Sequence, residues 1–283
     1  MTARRRLVAL SVAAALSVAA HPAVAEPSGL KVSGSAKSLL LASRTLDGED
    51  YTLSLNRLRL ELEGEIATGV ALDLQYDHEL LLGSYLDTAA FRAAKDKAPP
   101  QYWRLDANTL ERGDAYARHR LYRASVKLSR GAVDLTAGRQ RIAWGTGRFW
   151  SPLDILNPVS PLALERDQRL GVDAALLEVK TGPLSRVSLV HAPAAPGGPG
   201  ASRALQWHGN AAGVDASVVA GRLAGYDVVG VDVATQLGQA VVLAEMARLA
   251  DASGRRHTPA LAGLDYAFAN GLTLSAELYY NGA

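Results

Sequence analysis

Val70-Ala71-Leu72-Asp73-Leu74-Gln75-Tyr76-Asp77 is the stretch that decides the fold class. Val70, Leu72, Leu74 and Tyr76 alternate with Ala71, Asp73, Gln75 and Asp77, the period of two that puts the apolar and polar sets of a strand on opposite faces. A helix would scatter those sets around its circumference, because its side chains recur roughly every 3.6 residues. The same alternation returns on either side. Leu58, Leu60 and Leu62 oppose Arg57, Arg59, Glu61 and Glu63; Tyr122, Ala124, Val126 and Leu128 oppose Arg123, Ser125, Lys127 and Ser129. Near the end, Leu272, Leu274, Ala276, Leu278 and Tyr280 oppose Thr273, Ser275, Glu277 and Tyr279, and Asn270-Gly271 supplies the hairpin turn before them.

Alternation alone fits any half-buried antiparallel sheet, a soluble sandwich included. Strand length and loop rhythm argue otherwise. From Gly29 onward, strands are expected at 30–43, 51–63, 69–81, 118–129, 132–143, 170–181, 184–192, 203–210, 214–222, 228–237, 239–249, 259–268 and 272–280. Several approach the roughly 9 to 11 residues that a tilted membrane strand needs. Joins after alternate strands are tight, as at Arg130-Gly131 and Gly182-Pro183, whereas the others include the long stretches 82–117 and 144–169. Short turns at one end and long loops at the other are the asymmetry of an outer-membrane barrel. The expectation is an all-β, antiparallel up-and-down transmembrane β-barrel over 26–283, of about thirteen strands and truncated at the C-terminus, since bacterial single-chain barrels carry an even number. Three registers resist this reading: Val133, Leu135 and Ala137 would carry Arg139 and Arg141 onto the apolar face, phase slips between Ala175 and Leu177, and Glu245 interrupts an apolar segment.

The N-terminus reads as a secretory signal peptide over 1–25. Arg4, Arg5 and Arg6 precede an apolar run from Leu7 to Ala20, and Ala23-Val24-Ala25 offers small residues for cleavage. Losing three arginines leaves 27 Lys+Arg against 28 Asp+Glu, so the formal charge falls from +2 to −1 and a global basic argument for nucleic-acid binding disappears. The chain has no Cys, which removes disulfides, thiol catalysis and Cys-ligated zinc. No run of 18 apolar residues follows the leader, so a spanning structure would have to be a closed barrel.

Gly138 to Pro161 breaks the pattern. It is too apolar, through Ile142, Trp144, Phe149, Trp150, Leu153, Ile155 and Leu156, for a solvated loop, so it is expected to fold inward. Pro152, Pro158 and Pro161 would stiffen it, and Gly145 and Gly147 would let it turn away from the strand. The residues Gly138-Arg139-Gln140, Trp144-Gly145 and Asn157-Pro158, with Asp154 as a companion, resemble a signature of porin-like outer-membrane β-barrels of Gram-negative bacteria, including a group defined by Gly-Arg-Gln…Trp-Gly…Asn-Pro and, more distantly, alginate-export-type barrels. About two dozen residues carry the resemblance. It implies an outer-membrane barrel for diffusion or export of a solute, exported through the cleaved leader, folded by the barrel-assembly machinery and surrounded by outer-membrane lipid and lipopolysaccharide.

The expected function is passive passage of small polar or charged solutes. Arg139, Arg141, Arg148, Asp154, Glu165, Arg166, Asp167 and Arg169 would form the constriction, and Arg57, Arg59, Asp73, Asp77, Arg123 and Lys127 would line the path. Interleaved signs imply weak ion selectivity. Trp144, Gly145, Trp150, Asn157 and Pro158 are expected to shape the loop. The alternative is a plugged barrel that binds or assembles partners at the surface, and an oligomer is compatible with either. Residues 82–117 read as a surface loop covering the barrel mouth, with a helix-compatible piece from Tyr85 to Lys97; ligand contact by Tyr102 and Trp103, such as stacking on a sugar ring, is the alternative. The six histidines show no Ser-His spacing for a hydrolase, Gly145-Thr146-Gly147 lacks the Lys-Ser/Thr of a phosphate loop, and no cofactor, metal or nucleic acid is implied.

Overall fold

The computed structural model describes residues 12–20, 29–45, 47–95, 101–157 and 170–282. Its strands are β1 (Val12–Ala20), β2 (Leu30–Arg44), β3 (Asp50–Ala67), β4 (Val70–Leu82), β5 (Asp106–Arg112), β6 (Ala115–Arg130), β7 (Val133–Gln140), β8 (Val172–Gly182), β9 (Ser185–Ala192), β10 (Ser202–Ala211), β11 (Val214–Leu223), β12 (Tyr226–Leu237), β13 (Ala240–Ala250), β14 (Arg256–His257), β15 (Ala260–Ala267) and β16 (Thr273–Tyr280). Neighbours in sequence are neighbours in the sheet, from β1 to β16, with β5 paired to β6 and β14 to β13 beside the main path. Adjacent strands pair antiparallel, and the path does not close on itself among the described residues. The chain is therefore an all-β, up-and-down antiparallel sheet, and each of the thirteen strands expected from Gly29 onward is present. The additions are the minor strands β5 and β14, and β1, which lies inside the expected leader and pairs with β2 from Val12↔Ala42 to Ala20↔Gly34.

Turn chemistry sets the register at the tight end. Ala212 and Gly213 both have positive φ, 52° and 79°, the type I′ geometry whose twist matches the flanking strands. The expected phase slip between Ala175 and Leu177 is absent, since Leu177 and Ala175 face Leu135 and Ala137 in regular register. The irregularity lies further along, between Lys180 and Gly182.

The chain divides into two compact units. The first comprises residues up to Ile66 with Asp73–Pro99 and Arg104–Tyr122. Here Leu58 and Leu60 are about half exposed, while Arg57, Arg59 and Asp77 on the other face are buried. Arg59 holds Asp77 through Nε at 2.6 Å, Arg57 approaches the same carboxylate at 3.7 Å, and Arg118 pairs with Glu79. Tyr122, expected on the apolar face, is instead buried beneath the guanidinium groups of Arg59 and Arg120, at 5.2 and 5.7 Å from its ring centre. The connection after β4 turns back through a short 3-10 turn, Ser84–Asp87, and a helix α1, Ala89–Ala94, capped by Thr88 Oγ1 accepting the Phe91 N–H. Its Leu86 and Phe91 pack with Leu41, Leu53, Leu81 and Tyr116. The helix expected near Tyr85 to Lys97 is thus shorter than expected.

The second unit holds Ala67–Leu72, Pro100–Trp103 and Arg123–Ala283. Its polarity is inverted relative to a soluble protein. Val218, Val229, Val231, Val233, Val242, Met246 and Leu264 are 38–60% exposed on one face, whereas Ser188, Gln206, Ser217, Asp232, Glu245 and Asp265 are 1–8% exposed on the other. The first is the apolar face of the sheet and the second its polar face. The polar face also carries a dry cluster of Val190, Val219, Val228, Ala247 and Leu249, completed by Ile142, Trp144 and Leu153 from the 141–157 loop.

Candidate functional site

The loop begins where β7 stops obeying its alternation. Gly138 has φ +120°, and a Cβ there would lie 2.2 Å from the Ala124 carbonyl oxygen, so only glycine passes at this point. Arg139 follows, directly opposite Asp173 in the ladder. Both lie on the parity of Val133 and Leu135, the apolar face, where an unpaired charge would be prohibitive. They are paired, Arg139 Nε donating to Asp173 Oδ1 at 2.9 Å, and roofed by the backbone of Trp103. The Trp103 N–H donates to Asp173 Oδ2 at 2.9 Å, and its carbonyl accepts from Arg139. Gln101 adds a bond to the Gly171 carbonyl, 2.8 Å.

Gln140 and Asn157 hold the loop's feet. Gln140 Nε2 donates to the carbonyls of Thr136 and Ala174, at 3.1 and 2.9 Å. Asn157 Oδ1 accepts the Ile142 N–H at 2.8 Å, and its Nδ2 donates to the Leu170 carbonyl at 2.6 Å, so one amide ties the outgoing chain to the returning chain.

The middle of the loop is held by carboxylates from the sheet. Thr146 and Gly147 donate their backbone N–H groups to Glu245 Oε1, and Ser151 Oγ donates to Oε2 at 2.8 Å. Successive N–H groups converging on one anion form a nest. Side chains at its glycines would fill it: a Cβ on Gly145 would stand 2.3 Å from Ser151 Oγ, and one on Gly147 2.0 Å from the Trp150 carbonyl oxygen. The next two N–H groups, of Arg148 and Phe149, donate to Glu277 at 2.6 and 3.0 Å. The Arg148 side chain donates through Nε to Asp265 at 2.6 Å. Leu153, 1% exposed, drives into the polar face over Gly230, where any Cβ would meet its Cδ2 at 2.4 Å.

The expected site residues therefore sort by position. Arg148 lies on the polar face with its side chain 55% exposed, and Asp154 is buried in the loop. Arg139 is buried in its ion pair with Asp173 beneath the Trp103 carbonyl, and Arg141 is exposed. Arg57, Arg59 and Asp77 form one buried group, Asp73 is exposed, Arg123 is buried, and Lys127 reaches Asp134 at 3.1 Å. Ile142, Trp144 and Leu153 bury as expected, whereas Phe149 and Trp150 stay 40% and 47% exposed, the Phe149 N–H donating to Glu277 and the Trp150 ring lying 6.1 Å from that of Tyr279. Pro158, Glu165, Arg166, Asp167 and Arg169 lie outside the described residues. Glu245, Asp265, Glu277 and Asp173 were not among the expected site residues. For Glu245 the signal existed: a lone carboxylate within an otherwise apolar strand has to meet donors somewhere.

No family model matches the chain, and no curated protein matches it. Among solved structures, the chain is similar to a mutant of the Rhodopseudomonas blastica porin at 12% identity and TM-score 0.38, over 89% of this chain and 86% of that one. A triple mutant of the same porin aligns over 97% of this chain and 95% of that one, again at 12% identity and TM-score 0.38.

Proposed function

We propose that this chain is a porin-like β-barrel of the bacterial outer membrane, non-enzymatic, through which small polar or charged solutes pass passively. The observation that carries the reading is the inverted polarity: rows of exposed Val and Leu on one face, buried Arg, Asp, Glu and Gln on the other. Soluble proteins rarely expose contiguous apolar patches beyond a few hundred Å², whereas hydrocarbon on one side and water on the other demand this arrangement. Signs are mixed within each unit, with Arg59 beside Asp77 in the first and Lys127 beside Asp134 and Arg148 beside Asp265 in the second, so the channel discriminates weakly between cations and anions. The 141–157 loop narrows the path. In this reading residues 1–25 are the export leader and lipopolysaccharide surrounds the outer rim.

A second reading rests on the dry cluster. Ile142, Trp144 and Leu153 seal against Val190, Val219, Val228, Ala247 and Leu249 as a solid packing, which would suit a plugged barrel that binds or assembles partners through its loops. Planar-bilayer conductance of the full chain separates the two. Steps of current are expected, and deletion of Trp150 to Asn157 should enlarge them. A folded barrel that passes no current would overturn the channel reading in favour of the plug.

A further inference from the structure

Where the loop meets β16, a cation and two aromatic rings are presented together on the polar face, and we propose that they form a binding site for small carboxylates bearing a flat ring. Arg148 is fixed from two sides: its backbone N–H donates to Glu277 Oε1 at 2.6 Å, and its Nε donates to Asp265 Oδ2 at 2.6 Å. The side chain nevertheless remains 55% exposed. A guanidinium has five N–H donors, and Asp265 engages only its Nε side and one terminal nitrogen. Among the described residues Asp265 is the one carboxylate paired with this side chain, and its exposure leaves the remaining edge available to a further carboxylate, which can accept two parallel hydrogen bonds from it.

The rings lie on the same support. Tyr279 is two residues from Glu277 on β16 and so shares its face, opposite buried Leu261 in the register. Trp150 approaches it with ring centres 6.1 Å apart and planes inclined by 30°, leaving 47% of Trp150 and 37% of Tyr279 exposed. Such ring faces accept a flat apolar ring by offset stacking. Glu277 orients both halves, holding the N–H groups of Arg148 and Phe149 while its strand carries Tyr279.

The chemistry favours weak, reversible capture. Asp265 already shares the Arg148 charge, so a bound carboxylate adds to a partly neutralised cation, and the exposed setting is screened by water and salt. Affinity on the order of millimolar is expected, which suits a path that must release what it binds.

This proposal names a solute class for the channel and rests on that reading for its purpose, yet binding is measurable apart from conduction. The test is a saturation-transfer NMR titration of the folded full chain in detergent micelles with benzoate, against benzyl alcohol, which lacks the charge, and acetate, which lacks the ring. Benzoate should bind at least about tenfold more tightly than either, and Arg148→Gln and Trp150→Ala should each weaken it about tenfold, roughly 1.4 kcal/mol. If either variant fails to fold, Tyr279→Leu is read in its place with the same expectation. Benzoate bound no better than the two controls, or equally well by any folded variant, would overturn the proposal. Binding without conductance would count against the channel alone, and conductance without binding against this site alone.

Discussion

Glu245, in the middle of β13, accepts a hydrogen bond from the backbone N–H of Gly147 at the turn of the 141–157 loop, across 98 positions of sequence. With the Thr146 N–H and the Ser151 hydroxyl on the same carboxylate, this side chain is the main polar anchor of the loop's midpoint. Replacing it by Leu removes the acceptor and strands several N–H donors. Hydrogen bonds to a charged group are worth about 1.5–3 kcal/mol each to stability. Glu245→Leu is expected to lower the unfolding midpoint and raise single-channel conductance, and Glu245→Gln, which keeps one acceptor oxygen, should do less of both. Unchanged conductance in the Leu variant would show that the loop holds its place without this anchor.

Gly147 itself admits no side chain. With the Trp150 carbonyl oxygen 2.0 Å from where a Cβ would stand, Gly147→Ala has to open the turn. A cost of about 1–3 kcal/mol is expected, as for other over-packed sites. Gly113→Ala is the comparison, since that glycine has φ +56° with nothing within 4 Å, so only backbone strain of about 1 kcal/mol applies. Urea unfolding of the two variants in lipid vesicles measures the difference, and equal losses would contradict the steric account.

Asp173→Ala would leave Arg139 buried and charged on the apolar face without its counter-ion. Breaking such a pair costs about 3–5 kcal/mol, whereas replacing both members by apolar residues is often neutral. The variant Arg139→Leu with Asp173→Leu should therefore recover part of the loss, short of all of it because the Trp103 N–H and carbonyl also lose their partners. Thermal unfolding of the three proteins checks the order, and a double variant worse than Asp173→Ala would refute it.

Asp251, in the turn after β13, titrates at about 2, held there first by the Ser253 hydroxyl and further by Arg255. Its folded value lies below the 3.8 of an unperturbed Asp, so its contribution is present above pH 3.8 and is lost as pH falls through about 2. Amide exchange at Ser253 and Arg255, whose N–H groups donate to Asp251 Oδ1, should accelerate between pH 4 and pH 1.5 beyond the intrinsic pH effect. Equal protection at both values would contradict this.

Much of the architecture was readable along the chain. The alternation of Leu58, Leu60 and Leu62 with Arg57, Arg59 and Glu61 is local, and a strand has to put those sets on opposite faces whatever else the protein does. The tight turns were equally local, as Asn270-Gly271 and Arg130-Gly131 illustrate. The places where the alternation failed were informative as failures: Arg139 out of phase beyond Gly138, and Glu245 alone among apolar neighbours, are the two points where the loop region is fastened to the sheet.

What the sequence by itself determined is the set of strands, their order and their two-faced character, because each depends on residues within a few positions of one another. Only the tertiary structure decided what the Gly138 to Asn157 segment does. Its position depends on Glu245, Asp265 and Glu277, roughly a hundred residues away or more, and on Asp173 and Trp103 closing over Arg139. A carboxylate and a backbone N–H carry no mark of each other in the linear chain. They become partners because the polar face leaves buried charges that have to be satisfied, and the loop brings the donors that satisfy them.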